Sequence, residues 1–475
     1  MAVGVQARSG PDAGPPPPAS PSFASGARIL SIGIASTGIF TFAYLATASH
    51  VLSPGAYSRI SLCWAVMFVI LSVIYRPIEQ LLSRTIADRR ARGLSDHSLR
   101  VPALIQFGFA LVFLVGALSL RQQIEQGMFD GSSALYWILV VGVLAYAASY
   151  FARGWLAGHQ RFALYGGLVF LEATSRFLFA LAVAVGVGSG QGAVGLGMAV
   201  APFASLCVIP FAFTRLRVRA PEGVPAADAS LEGPAQAGVE EASVDLSLRH
   251  GAGFAAAVVG IMLSEQTLMN AGVLIVAVNA GGGGLTKGLT GFVFNVMLIV
   301  RAPLQLFQAI QTSILPHLAG LEARESSDEF RHAIRVTILV ITGFGLAVAL
   351  GLLAIGPPVM TAFLGNKGFQ YGRLGLALVG LGMGLHLISG TLNQAALARG
   401  QARWAAGAWL IAAALFVAFV AAPVIHAQVT RVEVGYSGAT AVLSVLLGLV
   451  YRRGGTPGPG PNGPSDAGLS SSAGL

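Results

Sequence analysis

The sequence predicts an all-α integral membrane protein of about twelve transmembrane helices in two six-helix lobes related by a parallel repeat, and three observations predict it. Of 475 residues, 55% are hydrophobic and 10% charged, whereas a soluble domain carries about 25% charged residues. Apolar runs of about 20 residues, each able to cross a hydrocarbon core of about 30 Å as a helix, recur along nearly the whole chain. Two short motifs also recur at equivalent helix positions in the two halves. This composition excludes a soluble one- or two-domain enzyme.

Breakers and charges delimit the helices in order. Residues 1–26, which include Pro15 to Pro18, are Pro/Gly/Ser-rich and form a disordered cytoplasmic tail. They show no basic segment running into a cleavage site, so the first helix (27–48) is expected to act as an uncleaved insertion signal. It stops before Ser53-Pro54-Gly55, and the second runs over 57–83, up to Arg84. The third (101–120) lies between Arg100 and Arg121, the fourth (134–152) ends at Arg153, and the fifth and sixth cover 164–187 and 192–213. Residues 214–252, with Glu232, Glu240, Glu241 and Asp245, form a cytoplasmic inter-lobe linker. After it come helices at 253–278, 288–316 and 335–356, the last closing on Pro357-Pro358, then 374–394, 404–424 and 434–451. The lobes are therefore 27–213 and 253–453, and 454–475 is a second disordered cytoplasmic tail.

The net charge of +9 reads as a topology signal, not a nucleic-acid surface, because the basic residues sit in short loops between apolar runs. With the N-terminus inside, twenty-one of the 29 Lys and Arg fall in cytoplasmic segments and six outside; Arg176 and Arg301 fall inside helices. Both termini are thus expected in the cytoplasm of a plasma membrane. Cys63 and Cys207 lie in apolar runs as small hydrophobes, without metal or disulfide spacing. No cofactor is expected, nor an enzyme: phosphate loops, His-Glu-x-x-His and clustered catalytic carboxylates are all missing.

The repeat aligns Arg76-Pro77-Ile78-Glu79-Gln80-Leu81-Leu82 with Arg301-Ala302-Pro303-Leu304-Gln305-Leu306-Phe307, and the segment Leu156 to Phe162 with Leu397 to Trp404. Both matches fall at the same helix ordinal and on the same side, which gives parallel lobes about an axis along the membrane normal. Pro77 and Pro303 lie inside long helices, where a missing backbone donor permits bending. These two helices are the candidate moving parts.

The run RPIEQLLSRTIADRRARG (76–93), the LAGHQRF turn (156–162), the ILPHLAG segment (314–320) and the 6+6 layout resemble the polysaccharide exporters of the multidrug/oligosaccharidyl-lipid/polysaccharide (MOP) superfamily. The resemblance implies a MATE-like fold and a bacterial plasma-membrane flippase. Such a flippase carries undecaprenyl-pyrophosphate-linked oligosaccharide to the outer leaflet through a V-shaped cavity between the lobes. Membrane lipids are implied partners, with a polysaccharide polymerase and glycosyltransferases as further ones. The first helix has no internal arginine, only Arg28 at its start, which departs from the lipid II branch and favours a surface-glycan unit. The multidrug branch shares the fold and stays open. A major-facilitator alternative rests on Asp88-Arg89-Arg90-Ala91-Arg92, where Ala91 replaces that family's glycine; this basic stretch also suits the anionic leaflet.

Ionisable groups within a span are costly, by about 2.5–3.5 kcal/mol each, so each needs a partner or a hydrated cavity. Glu172 and Arg176 stand at i, i+4 and are expected to pair. Glu265 and Arg301 lie at similar depth on adjacent antiparallel helices, a second expected pair. In one reading Arg176 and Arg301 offer guanidinium groups to a pyrophosphate, while Glu265 or Glu172 holds them or exchanges a coupling cation. In the other, both pairs lock helices. Arg76 marks a cavity mouth or the membrane boundary. Asn270, Asn295, Gln305, Gln308 and Gln311 form a polar set for sugar contact or helix association, and His386 is a proton relay or a packing residue.

Overall fold

The computed structural model describes residues 21–91, 99–210, 237–279, 288–301, 303–304, 327–365 and 368–453. Within them the chain is all-helical. The helices are α1 (Pro21–Val51), α2 (Pro54–Ile70), α3 (Arg76–Ala91), α4 (Arg100–Ser119), α5 (Arg121–Phe129), α6 (Ser133–Gly158), α7 (Phe162–Ala184) and α8 (Gly190–Leu206). The second half contributes α9 (Ala237–Asn279), α10 (Leu289–Arg301), α11 (Ser327–Leu364), α12 (Arg373–Ala398), α13 (Ala402–Ala421) and α14 (Gln428–Arg453). Nine helices among the described residues are long and apolar enough to cross a membrane, and α8 and α10 are shorter apolar ones.

Every helix expected from the sequence has a counterpart, and the differences have local causes. The fourth runs on to Gly158, because Arg153 is carried inside the helix and not at its end. Helix continues back from the seventh span to Ala237, so 237–252 is helical where a linker was expected, and 21–26 likewise belongs to α1. The ninth passes straight through Pro357-Pro358 to Leu364. The short α5 was not foreseen; Asp130 at φ 53° and Gly131 at φ 78° turn the chain after it. The tail 454–475, most of the 214–252 linker, the ILPHLAG segment and Gln305, Gln308 and Gln311 lie outside the described residues.

The second span changes its hydrogen bonding just before Pro77. Between α2 and α3 the hydrogen bonding widens into a π-turn at Leu71–Tyr75, in which the Arg76 N–H reaches the Leu71 carbonyl. Proline has no N–H for the carbonyl four residues back and its ring crowds that carbonyl, so a wider turn accommodates it.

Extensive packing runs within each half: α1 on α7, α7 on α8, α6 on α8 and α3 in the first, α11 on α12, α12 on α14 and α9 on α13 in the second. Small residues set the closest crossings. A Cβ on Gly154 would come within 2.8 Å of the Glu79 carbonyl oxygen, and one on Gly384 within 3.0 Å of the Gly345 Cα. The α3–α6 crossing at Gly154 is what brings Arg153 into the neighbourhood of Glu79.

Candidate functional site

A cavity of about 420 Å³ lies between the halves, built from one stripe of each surrounding helix. The second span supplies Trp64, Phe68, Ser72, Arg76 and Gln80, every fourth residue across the π-turn, together with Glu79. Helix α6 supplies Tyr146, Tyr150 and Arg153, α7 supplies Tyr165, Val169, Glu172 and Arg176, and α1 supplies Thr37, Thr41 and Leu45. The second half adds Glu265, Gln266 and Met269 of α9 and Leu298, Arg301 and Leu304 around α10. Spacings of three and four residues put each set on one helical face.

Charge is concentrated here: four arginines and three glutamates. Glu172, 2% exposed, accepts from the Arg153 guanidinium and from the Ser149 and Ser205 hydroxyls. The expected Glu172–Arg176 pair does not form, because Arg153, one turn of α6 away across the interface, takes the carboxylate. Arg176 instead donates to the Tyr146 hydroxyl at 2.7 Å, with its guanidinium carbon 5.1 Å from the Trp64 ring centre and 5.7 Å from that of Phe68. Tyr165 donates to the Glu79 carboxylate at 2.7 Å.

Nor do Glu265 and Arg301 bond. Arg301 donates to the Asn270 side-chain oxygen at 2.6 Å and to the Met269 carbonyl at 3.2 Å, and its guanidinium lies 4.8 Å from the Phe294 ring centre. Asn270 thus holds Arg301 from behind. Glu265, Arg301 and Arg76 of the other half share the cavity. Arg153, Arg176 and Arg301 each keep a buried Nε–H without a partner. A buried charged donor left unpaired is costly, and guanidinium groups match oxyanions in geometry and charge.

The remaining expected residues fall elsewhere. His386, 2% exposed, packs within the second half, its Nδ1 3.0 Å from the Tyr436 hydroxyl and its ring edge-on to Trp409. Asn295 lies at the seam between the halves, away from the cavity. It accepts from the Tyr57 hydroxyl at 2.5 Å and donates at 3.3 Å to the Leu364 carbonyl and to the Tyr371 hydroxyl.

That seam closes one end of the cavity. Ser49 of α1 donates to the Leu364 carbonyl, and the Gly291 N–H donates to Ser58 at 3.0 Å. Phe292 stacks on Tyr371 at 4.5 Å, and Phe42 meets Phe363 edge-on at 6.0 Å. Ser49, Tyr57, Asn295, Phe292 and Leu364 are all buried. These residues stand where α1 and α11 end and α2 and α10 begin. The cavity therefore runs from mid-span, at Leu45, Trp64 and Arg176, towards the opposite, arginine-rich helix ends, where Gln80 is exposed.

Sequence reasoning missed Arg153, Glu79 and the tyrosines. Arg153 was counted as a loop residue, although Tyr146, Tyr150 and Arg153 repeat at helical spacing. Arg431 and Glu433 are buried within α14. Arg431 caps the end of α13 by donating to the Val420 carbonyl at 3.2 Å. Among the described residues no cluster of three His, Cys, Asp or Glu could hold a metal ion.

No protein-family model and no curated protein matches the sequence. Solved structures do match in fold. A MATE transporter in complex with MaD3S superposes with a TM-score of 0.59 at 14% identity, over 91% of this chain and 94% of that one. A mutant of the Vibrio cholerae MATE transporter VcmN gives 0.56 at 14% identity, over 91% and 97%. An inward-facing multidrug resistance MATE family transporter of the MOP superfamily gives 0.58 at 14% identity, over 90% and 93%. The chain has the MATE-like fold, which replaces the major-facilitator alternative.

Proposed function

We propose that this protein is a flippase that moves undecaprenyl-pyrophosphate-linked oligosaccharide across the bacterial plasma membrane by alternating access, for surface polysaccharide biosynthesis. The observation that carries the proposal is the set of three guanidinium groups at one inter-half cavity, each with a buried Nε–H lacking a partner. Arg301 and Arg176 sit deep in the cavity, on opposite halves. A pyrophosphate drawn between them supplies the missing acceptors, and the uncompensated charge favours an anion over a cation. The aromatic faces of Trp64, Tyr146 and Tyr150 give sugar rings flat apolar contact.

In the orientation set by the positive-inside rule, the arginine-rich helix ends face the cytoplasm, and the cavity is open inwards with its outer end sealed. Glu265 and Arg76 line the inner mouth from opposite halves, and substrate phosphate entering there neutralises Arg76. Outward opening separates Tyr57 from Asn295 and Ser58 from Gly291, with the π-turn as the hinge.

A second reading, export of cationic drugs, is favoured by Glu265, which has no hydrogen bond or ion pair among the described residues and lies near aromatic walls. The two readings differ in the sign of the substrate's charge. Extraction of the lipid-linked glycan pool from cells with and without the gene, with a membrane-impermeant glycan probe on spheroplasts, tests them. Accumulation on the inner face upon deletion supports the flippase; an unchanged pool with altered drug resistance supports the exporter.

A further inference from the structure

The second span lines the central cavity in a register that a plain helix could not give. Trp64, Phe68, Ser72, Arg76 and Gln80 all face it, although they stand four residues apart. At about 100° per residue each step of four drifts by about 40°, so an unbroken α-helix would carry Gln80 about 160° away from Trp64. The π-turn at Leu71–Tyr75 removes the discrepancy. Its hydrogen bond closes over five residues in place of four and absorbs one residue, about 100° of rotation, which leaves Arg76 about 20° and Gln80 about 60° from Trp64. The aromatic and the polar parts of this wall share one face only while the turn is wide.

Closing that turn to the α form rotates α3 against α2 by the angle of one residue. Each side chain beyond it then takes the direction now held by its successor: Tyr75 points where Arg76 does, and Glu79 where Gln80 does. The cavity exchanges a guanidinium for a phenol at one place and an amide for a carboxylate at the other, so its hold on an anion is lost. Tyr75 itself is fully buried, its ring centre 6.3 Å from that of Tyr150, and its hydroxyl has no partner. That is a cost of the π form which hydration in the cavity removes. The surface on which α3 turns is smooth, because α6 meets it with Gly154 and Gly158, where a Cβ would come within 2.8 Å of the Glu79 carbonyl oxygen and 2.7 Å of the Ile86 Cβ. Pro77 opposes the closure, since in an α-turn its ring crowds the Val73 carbonyl.

We infer, resting on the flippase reading above, that the π-turn is a rotary switch of the inner mouth: the π form presents Arg76 to an incoming phosphate, and the α form replaces it by Tyr75 and lets the phosphate go. Cysteines placed singly by Tyr75→Cys and Arg76→Cys in the full chain, with the exposed Cys207 replaced and Cys63 left buried, are reacted in detergent with a charged methanethiosulfonate and no substrate. Arg76→Cys is expected to react at least tenfold faster than Tyr75→Cys. Adding Pro77→Ala, which restores the N–H that an α-turn needs, is expected to speed Tyr75→Cys and slow Arg76→Cys by about tenfold each. Tyr75→Phe removes the unpartnered hydroxyl and holds the π form, so it is expected to raise the melting temperature and yet slow transport of a pyrophosphate-linked oligosaccharide lipid in proteoliposomes about tenfold. Reactivities that Pro77→Ala leaves in the same order, or a Tyr75→Phe variant that transports at the wild-type rate, would overturn the switch. Exchanged reactivities in a wild type that moves no sugar lipid would uphold the rotation and overturn the flippase reading alone.

Discussion

Replacing Tyr57 by phenylalanine removes one hydroxyl from the sealed seam and leaves the ring packing in place. The hydroxyl donates to Asn295 at 2.5 Å, and both residues are fully buried. Loss of the bond costs about 0.5–1.5 kcal/mol, and the stranded Asn295 oxygen raises the total to about 1–3 kcal/mol. That cost falls on the inward-open state alone, because separation of the seam hydrates both groups. At 1.4 kcal/mol per tenfold, a middle value of about 2 kcal/mol shifts the equilibrium about thirtyfold towards the outward-open state. A state populated at about 1% would rise to about 20%. Spin labels at Val187→Cys and Leu374→Cys, exposed on opposite halves at the seam end, report the change by electron–electron double resonance. Cys63 is buried and only the exposed Cys207 has to be replaced. An identical distance distribution in the wild type and Tyr57→Phe would refute a seam that holds the inward-open state.

Other substitutions bear on the cavity and the scaffold. Arg301→Ala is expected to abolish export while the protein remains inserted and abundant, and Arg301→Lys to restore it only partly because an ammonium lacks the planar fork; glycan export and quantitative blotting measure both. Glu172→Leu leaves Arg153 buried and unpaired, so it is expected to lower stability by about 3–5 kcal/mol, whereas Glu172→Leu/Arg153→Leu recovers most of the loss. Thermal unfolding of the purified variants gives the comparison, and equal melting of single and double variants would contradict the pairing. Gly384→Leu drives a side chain into Gly345 and is expected to cost about 1–3 kcal/mol, read as a lowered melting temperature with the Gly351→Leu variant, open to space, as control.

The helices and their order were legible because hydropathy and arginine breaks act over twenty residues at a time. Ends were less so: a boundary was drawn at Arg153 since an arginine ordinarily marks the interface, and only the tertiary partner Glu172, on another helix, makes a buried position tolerable. The same reason explains the ion pairs. Spacing along one helix brings Glu172 and Arg176 within reach, but it is silent on Ser149, Arg153 and Ser205, which arrive from α6 and α8. Arg176, Arg301, Glu172 and Glu265 were singled out as costly charges and Arg76 as a mark of the cavity mouth or the membrane boundary, and all five line one cavity. His386 and Asn295 carried the same polar signal, yet burial against Tyr436 and Tyr57 satisfies them within the protein. Pro77 marked a place where the helix ladder is interrupted, whereas the π-turn found just before it follows from hydrogen-bond geometry no residue pattern displays.

The most direct test of an oxyanion cavity is transport by the full chain in proteoliposomes offered two substrates, a fluorescent pyrophosphate-linked oligosaccharide lipid and a cationic dye. Wild-type protein is expected to move the lipid-linked sugar and not the dye, and Arg176→Gln/Arg301→Gln to stop that movement. Transport of the dye with the sugar lipid left in place would contradict the phosphate reading and assign the cavity to cations.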